Sequence, residues 1–219
     1  MNSKNLRDIR LNYSQKALGE EEAESGPLDL FSRWMEEAIQ SEIKEPTAMT
    51  LATVDWQGLP DARIVLLKGI SESKFQFFTN YNSKKGKDLE KTPEACLVFF
   101  WAELERQVRI RGKVTKLTKN ESEEYFQSRP IESQIGAYTS NQSEKIPNRE
   151  FLESKYQEMR NKFLGKEKLP LPEYWGGYEL SPRELEFWQG RPSRLHDRIL
   201  FSKKPDTTSG DWVVSRLSP

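Results

Sequence analysis

Ala48-Met-Thr-Leu-Ala-Thr-Val-Asp55-Trp-Gln-Gly58-Leu-Pro-Asp-Ala62-Arg-Ile-Val-Leu-Leu-Lys68 is the stretch on which the fold turns. Residues 48–55 and 62–68 are strand-like runs on either side of a turn at Trp56-Gln57-Gly58, which predicts an antiparallel hairpin. The second run carries a continuous apolar stretch, Ile64, Val65, Leu66 and Leu67, bracketed by Arg63 and Lys68. Charges at both ends of a buried strand either reach solvent or grip a ligand at a barrel rim.

Outward from the hairpin, residues 75–79, 95–101 and 107–117 read as further strands. In the last of these Val108, Ile110 and Val114 alternate with Arg109, Arg111 and Lys113, giving one core face and one wet face. Three short strands are expected near Tyr178, at 184–188 and at 195–201, and residues 212–216 close the sheet. Gly26-Pro27 opens a helix to about Ile43, with Leu28, Phe31, Met35, Ala38 and Ile39 at helical spacing and Trp34 widening the stripe. Thr118 to Glu121 is a capping box whose helix stops at Pro130, and a longer helix spans 148–163 and ends at Gly165. Short strands with inserted helices argue against a doubly wound parallel sheet. They predict a mainly β protein, an antiparallel Greek-key-like barrel with helices packed outside. Residues 1–26, polar with an acidic knot at 20–24, read as a flexible arm or lid; 27–219 read as a single domain.

With 34 basic and 34 acidic residues among 219, net charge is zero, so no global field recruits nucleic acid or a membrane surface. A hydrophobic fraction of 35% against 31% charged makes a lean core, which suits a chain that completes its burial by dimerising. The single cysteine, Cys96, reads as a small buried hydrophobe and permits no internal disulfide. No apolar leader or membrane-length run is present, and the expectation is a soluble, cytoplasmic protein.

The chain lacks a glycine-rich dinucleotide loop and a P-loop, and one histidine with one cysteine cannot form the usual zinc sets. That histidine lies in Trp188-Gln-Gly-Arg-Pro-Ser-Arg-Leu-His-Asp-Arg198. If 194–198 is extended, Arg194, His196 and Arg198 share one face, with Leu195 and Ile199 on the core side. Adjacent Asp197 should face away from His196, which makes a poor catalytic dyad. Other anion-receiving constellations are Ser83-Lys84-Lys85-Gly86, able to open a helix after Phe78-Thr79, and Tyr125 with Arg129 on one helix face, followed by Ser133. Gln107, Gln142 and Ser143 offer neutral donors and acceptors for a flavin edge. The basic stripe 106–116 is read as an exposed strand face. Binding groups without nucleophile, metal or nucleotide loop suggest that an organic cofactor does the chemistry.

Several strings, taken together and in order, closely resemble the pyridoxine (pyridoxamine) 5′-phosphate oxidase family. They include Pro46-Thr-Ala-Met49, Arg63-Ile-Val-Leu-Leu-Lys68, Phe78-Thr-Asn80, Leu104-Glu-Arg-Gln-Val108, Ser128-Arg-Pro130, Ser133-Gln-Ile-Gly-Ala137, Tyr174-Trp-Gly-Gly177, Glu186-Phe-Trp-Gln-Gly190, Arg194-Leu-His-Asp-Arg198 and Arg216-Leu-Ser-Pro219. The resemblance implies an FMN-binding split barrel and a homodimer with two flavin sites at the subunit interface. It implies FMN contacts from Arg63, Lys84, Lys85, Gln107, Gln142, Ser143, Trp188 and Arg198, with Ile64, Val65, Leu66, Leu67, Lys68, Phe78 and Thr79 lining the site. Lys68, Tyr125, Arg129 and Ser133 would hold a substrate phosphate, Arg194 and His196 would lie against the pyridine ring as catalytic residues, and Arg10 and Tyr13 would fold over the site.

The implied reaction moves hydride from C4′ of pyridoxine or pyridoxamine 5′-phosphate to flavin N5, with O2 as acceptor. It yields pyridoxal 5′-phosphate, H2O2 and, from the amine, ammonia, as the last step of vitamin B6 cofactor synthesis or salvage. Three features depart from the family: Leu11 stands where a second basic residue is frequent, Lys84 replaces a common arginine, and Arg191-Pro192-Ser193 replaces a variable loop. The alternatives are a split-barrel reductase of another substrate, a non-catalytic carrier of flavin or pyridoxal phosphate, and a nucleic-acid-binding barrel.

Overall fold

The computed structural model describes residues 12–204 and 211–219. Its elements in chain order are α1 (Glu20–Ala23), α2 (Pro27–Gln40), β1 (Ala48–Val54), β2 (Pro60–Leu66), β3 (Gly69–Ser71), β4 (Lys74–Asn80), α3 (Lys84–Lys91), β5 (Glu94–Trp101), β6 (Arg106–Lys116), α4 (Lys119–Ser128), α5 (Ile131–Thr139), α6 (Arg149–Lys162), β7 (Trp175–Gln189), β8 (Asp197–Lys203) and β9 (Trp212–Arg216). The strands form one sheet in the order β2-β1-β5-β6-β7-β4-β3, with β8 pairing to β7 and β9 to β8. Strand β3 pairs with β4, β4 with β7, β7 with β8 and β8 with β9, each antiparallel. The expected class, mainly β with inserted helices, is the one observed.

Three expectations change. The strands foreseen near Tyr178 and at 184–188 are one strand, β7, which runs through Pro182. It pairs with β4 from Trp175 to Leu180 and with β8 from Glu184 to Gln189. The proline, which has no N–H to donate, falls between those two stretches. A helix the sequence reading did not foresee, α5, starts directly after Pro130, which ends α4 by its fixed φ and then stands at the N-cap of the next helix. Cys96, expected buried, is half-buried.

The chain divides into two compact units, one of residues 1–49, 97–111 and 183–219, the other of 50–96 and 112–182. In the first, Gly26 has φ +85° and Pro27 opens α2, whose Leu30, Phe31, Trp34 and Ala38 are buried. Trp34 meets Phe187 edge-on at 5.2 Å, and Phe31 meets Phe99 at 5.2 Å. Each such fully buried side chain contributes roughly 1.5–3 kcal/mol of transfer free energy. Residues 12–26 of the expected arm make fixed contacts in this unit. Leu18 is buried and its N–H donates to Asp197 at 3.1 Å, while Arg216 reaches Glu20 at 2.6 Å.

In the second unit, Phe126, Ile135, Phe163, Leu169 and Trp175 form a core beneath α4, α5 and α6. The capping box at the start of α4 is present as expected, with Thr118 and Glu121 satisfying each other's backbone N–H groups. Gly177 is required for close packing, because a Cβ there would stand 2.7 Å from the ring of Phe78.

Candidate functional site

β2, β4, the start of α3, the end of α4 and the start of α5 together wall a cavity of about 480 Å³ within the second unit. Its lining is Ile64, Val65, Leu66, Lys68, Phe78, Thr79, Asn80, Lys85, Tyr125, Arg129, Pro130, Ser133, Gln142 and Trp175. β2 supplies Ile64, Val65 and Leu66, Lys68 follows just past its end, and Ile64 is left 65% exposed. Leu67 points into the core instead and is 8% exposed. Three cations, two hydroxyl-bearing side chains besides the phenol, and two amides face the space. Among the described residues no carboxylate lines it.

One wall is aromatic. Phe78 stacks on Tyr125 with ring centroids 3.8 Å apart and on Trp175 at 5.7 Å. The guanidinium of Arg129 lies 4.7 Å above the Trp175 ring. Its Nη1 is buried and has no hydrogen-bond partner among the described residues. A buried charged donor left unpaired is costly unless an acceptor comes to it, so this atom marks where an anion belongs. Burial raises the pKa of the Tyr125 phenol against the opposing charge of Arg129, which keeps its O–H available as a donor.

Lys85 sits in the first turn of α3, behind the N-cap Ser83, whose hydroxyl accepts from Gly86 N–H at 3.3 Å. Its Nζ donates to Gln142 Oε1 at 2.8 Å and to Thr79 Oγ1 at 3.3 Å. Burial, reinforced by the charge of Arg63 and opposed by Asp61, lowers its pKa to about 8. A cation at the positive end of a helix dipole is also ill placed by itself. An incoming anion relieves both penalties.

The other residues expected on this site divide. Arg63 is engaged within its own unit, donating to Asp61 at 2.6 Å and to Thr53 Oγ1 at 2.7 Å. Lys84 and Ser143 line a neighbouring cleft of about 660 Å³ that shares Gln142 with the first, and Lys84 is paired with Asp88 at 3.1 Å. Asn80, Pro130 and Trp175 on the cavity wall were not assigned a role from sequence. The signal was there in Phe78-Thr-Asn80 and Tyr174-Trp-Gly-Gly177, where a bulky ring precedes two glycines.

Gln107, Trp188, Arg194, His196 and Arg198 belong to the first unit, as does Tyr13. The extended 194–198 segment is corrected. Residues 192–194 form a 3₁₀ turn with Ser193 at φ 58° and Arg194 at φ 62°, and β8 starts only at Asp197. Pro192 fixes the entry to the turn, and two left-handed residues follow at roughly 1–2 kcal/mol each. Arg194 is therefore exposed on a turn rather than aligned with Arg198, and Leu195, expected in the core, is 70% exposed. His196 packs on Trp188 at 4.7 Å and meets Tyr13 at 5.7 Å. Its Nδ1 accepts from Arg191 N–H at 3.1 Å, which places the proton of the neutral ring on Nε2. Arg198 donates to Glu186 at 2.9 Å and to the Ser218 carbonyl at 2.8 Å. Arg10 and Leu11 lie outside the described residues.

A family model described as pyridoxamine 5′-phosphate oxidase matches residues 35–163, and one described as the pyridoxine 5′-phosphate oxidase C-terminal dimerisation region matches 175–219. A pyridoxine/pyridoxamine 5′-phosphate oxidase of Leptospira interrogans is 55% identical over 214 residues, covering 98% of each chain. The enzyme of the same name from Burkholderia lata is 50% identical, over 98% of this chain and 99% of that one. Among solved structures, PhzG from Burkholderia lata 383, in complex with tetrahydrophenazine-1-carboxylic acid, has a TM-score of 0.84 and 28% identity, covering 94% of this chain and 100% of that one.

Proposed function

Because this chain belongs to the pyridoxamine 5′-phosphate oxidase family, we propose that it oxidises pyridoxine and pyridoxamine 5′-phosphates to pyridoxal 5′-phosphate, with FMN as cofactor and O2 as acceptor. The observation that carries this reading is a cavity with no carboxylate on its wall among the described residues, where Arg129, whose Nη1 has no hydrogen-bond partner among those residues, shares the lining with Tyr125, Ser133 and Lys68. That donor set fits a phosphate monoester: a guanidinium and an ammonium supply charge, and two hydroxyls complete its oxygens. Lys85, Thr79 and Gln142 are the groups of this cavity that would hold FMN, together with Lys84 and Ser143 from the adjoining cleft.

When bound, FMN supplies the two-electron acceptor for C4′ and passes the electrons to O2 as H2O2. The chain's own contribution is orientation, because the transferred hydrogen must sit over the acceptor atom. Trp188, Arg194, His196 and Arg198 fall inside the stretch matched by the dimerisation region. We assign the contacts of Arg194 and His196 with the pyridine ring to the homodimer on that ground.

The fold neighbour PhzG, solved in complex with tetrahydrophenazine-1-carboxylic acid, offers a second reading, a protein whose ligand is a phenazine carboxylic acid. Identity weighs against it: within one species, Burkholderia lata, the oxidase shares 50% with this chain and PhzG 28%. The test is anaerobic addition of pyridoxine 5′-phosphate to the FMN-loaded protein. Bleaching of the visible flavin band, recovery in air and release of pyridoxal 5′-phosphate are expected. A flavin that binds yet never bleaches with either phosphate ester overturns the oxidase reading.

A further inference from the structure

Resting on that reading, we propose that Glu105 is a positioning residue for His196, acting by clamping the segment that carries Tyr13. Glu105 belongs to the 3₁₀ turn between β5 and β6 and adopts a left-handed conformation, φ 54° and ψ 39°. This backbone is disfavoured for a side chain with a β-carbon, so the position is held for a purpose or by its neighbours. Both ends of the residue are used. Its carboxylate Oε2 accepts from the N–H groups of Ser14 at 2.8 Å and Gln15 at 3.1 Å. Its carbonyl accepts from Gly190 N–H at 2.7 Å and from Gln189 Nε2 at 3.2 Å.

One residue thereby ties the N-terminal segment to the end of β7, and Tyr13 is the side chain caught between. Tyr13 stands edge-on to Trp188 and to His196, each at 5.7 Å. The approach is so close that a Cβ on Gly190 would lie 2.8 Å from Tyr13 Cγ and 3.0 Å from Glu105 Cβ. His196 is therefore fixed by three partners: the Arg191 N–H on Nδ1, the Trp188 ring, and the Tyr13 ring. The third depends on the N-terminal segment, which Glu105 holds at Ser14 and Gln15, beside the ties of Gln15 Nε2 to the Glu103 carbonyl at 2.7 Å and of Lys16 to Glu37 at 2.6 Å.

The test compares Glu105→Ala, Glu105→Gln and Ser14→Pro in the full chain. The last removes one donor from the opposite side of the clamp. Glu105→Ala should raise KM for pyridoxine 5′-phosphate about tenfold, as expected for loss of hydrogen bonds to a charged acceptor, with a smaller change in kcat. FMN affinity should stay within about twofold. Glu105→Gln keeps an acceptor oxygen and should recover most of the loss, and Ser14→Pro should reproduce it in part. A second readout needs no turnover: trypsin should cut after Lys16 faster in the flavin-free Glu105→Ala protein than in the parent.

Unchanged KM and unchanged cleavage at Lys16 would overturn the proposal. So would a parallel loss of FMN affinity, which would mean that Glu105 serves the sheet end alone, or faster cleavage with unaltered KM. If the unsubstituted protein oxidises neither phosphate ester, the functional reading fails, and the cleavage rate at Lys16 alone decides the clamp.

Discussion

Lys85 and Arg129 are cations of the cavity wall held away from water by burial, and each makes a prediction. The Lys85 ammonium has its pKa lowered from 10.5 to about 8 by burial, with the charge of Arg63 adding to the effect. A bound phosphate would favour the protonated form, so anion binding near pH 8 should take up a fraction of a proton. Calorimetry of FMN binding in two buffers of different ionisation enthalpy should detect that uptake, and affinity should fall as pH rises above about 8. For the ligand-free protein the sign is opposite. Between about 8 and 10.5 the unfolded chain holds the extra proton, so this group's contribution to stability rises with pH across that window. Arg129→Ala should raise KM for either phosphate ester by roughly 10–100-fold, the range expected for a hydrogen-bonded charge, while leaving FMN affinity nearly intact. Arg129→Lys should recover only part, since an ammonium lacks the planar fork. Tyr125, Arg129 and Ser133 were legible because helix spacing and a helix-stopping proline already brought them together. Arg194 was not: its left-handed backbone at φ 62° breaks the strand alternation from which its direction was read.

The elements of this chain were legible where their ends are chemically marked. Pro27 opens α2, Thr118 and Glu121 open α4, Asn148 caps α6, and Gly58 turns the hairpin. Pro130 ends α4 as the spacing predicts and also stands at the N-cap of α5, while Pro182 lies inside β7 between the stretches paired to β4 and to β8. α3 carries the element-scale prediction. Ser83 caps it and Lys85 follows in its first turn, so Ser83→Ala should cost about 1 kcal/mol of stability and also weaken FMN binding. Gly86→Ala should be far worse, because a Cβ there would stand 2.0 Å from the Tyr81 carbonyl. Thermal denaturation of both variants checks the order.

A whole chain with net charge zero and 35% hydrophobic residues has little to spare for its surface, yet Phe100 and Ile64 remain exposed. With residues 175–219 matching a dimerisation region, light scattering should report twice the mass of one chain, and dilution into monomer should release flavin. A stable monomer that retains flavin would refute the homodimer. A cavity lined by three cations and, among the described residues, by no carboxylate also answers to the solution around the protein. A pocket that selects by the charge of a tetrahedral oxyanion cannot tell the ester of a vitamin from the free ion by charge alone. Inorganic phosphate and sulfate should therefore compete with substrate, and assay buffers containing them should inflate the apparent KM. In a cell, the background of inorganic phosphate should set a floor on how sparingly the vitamin ester can be used.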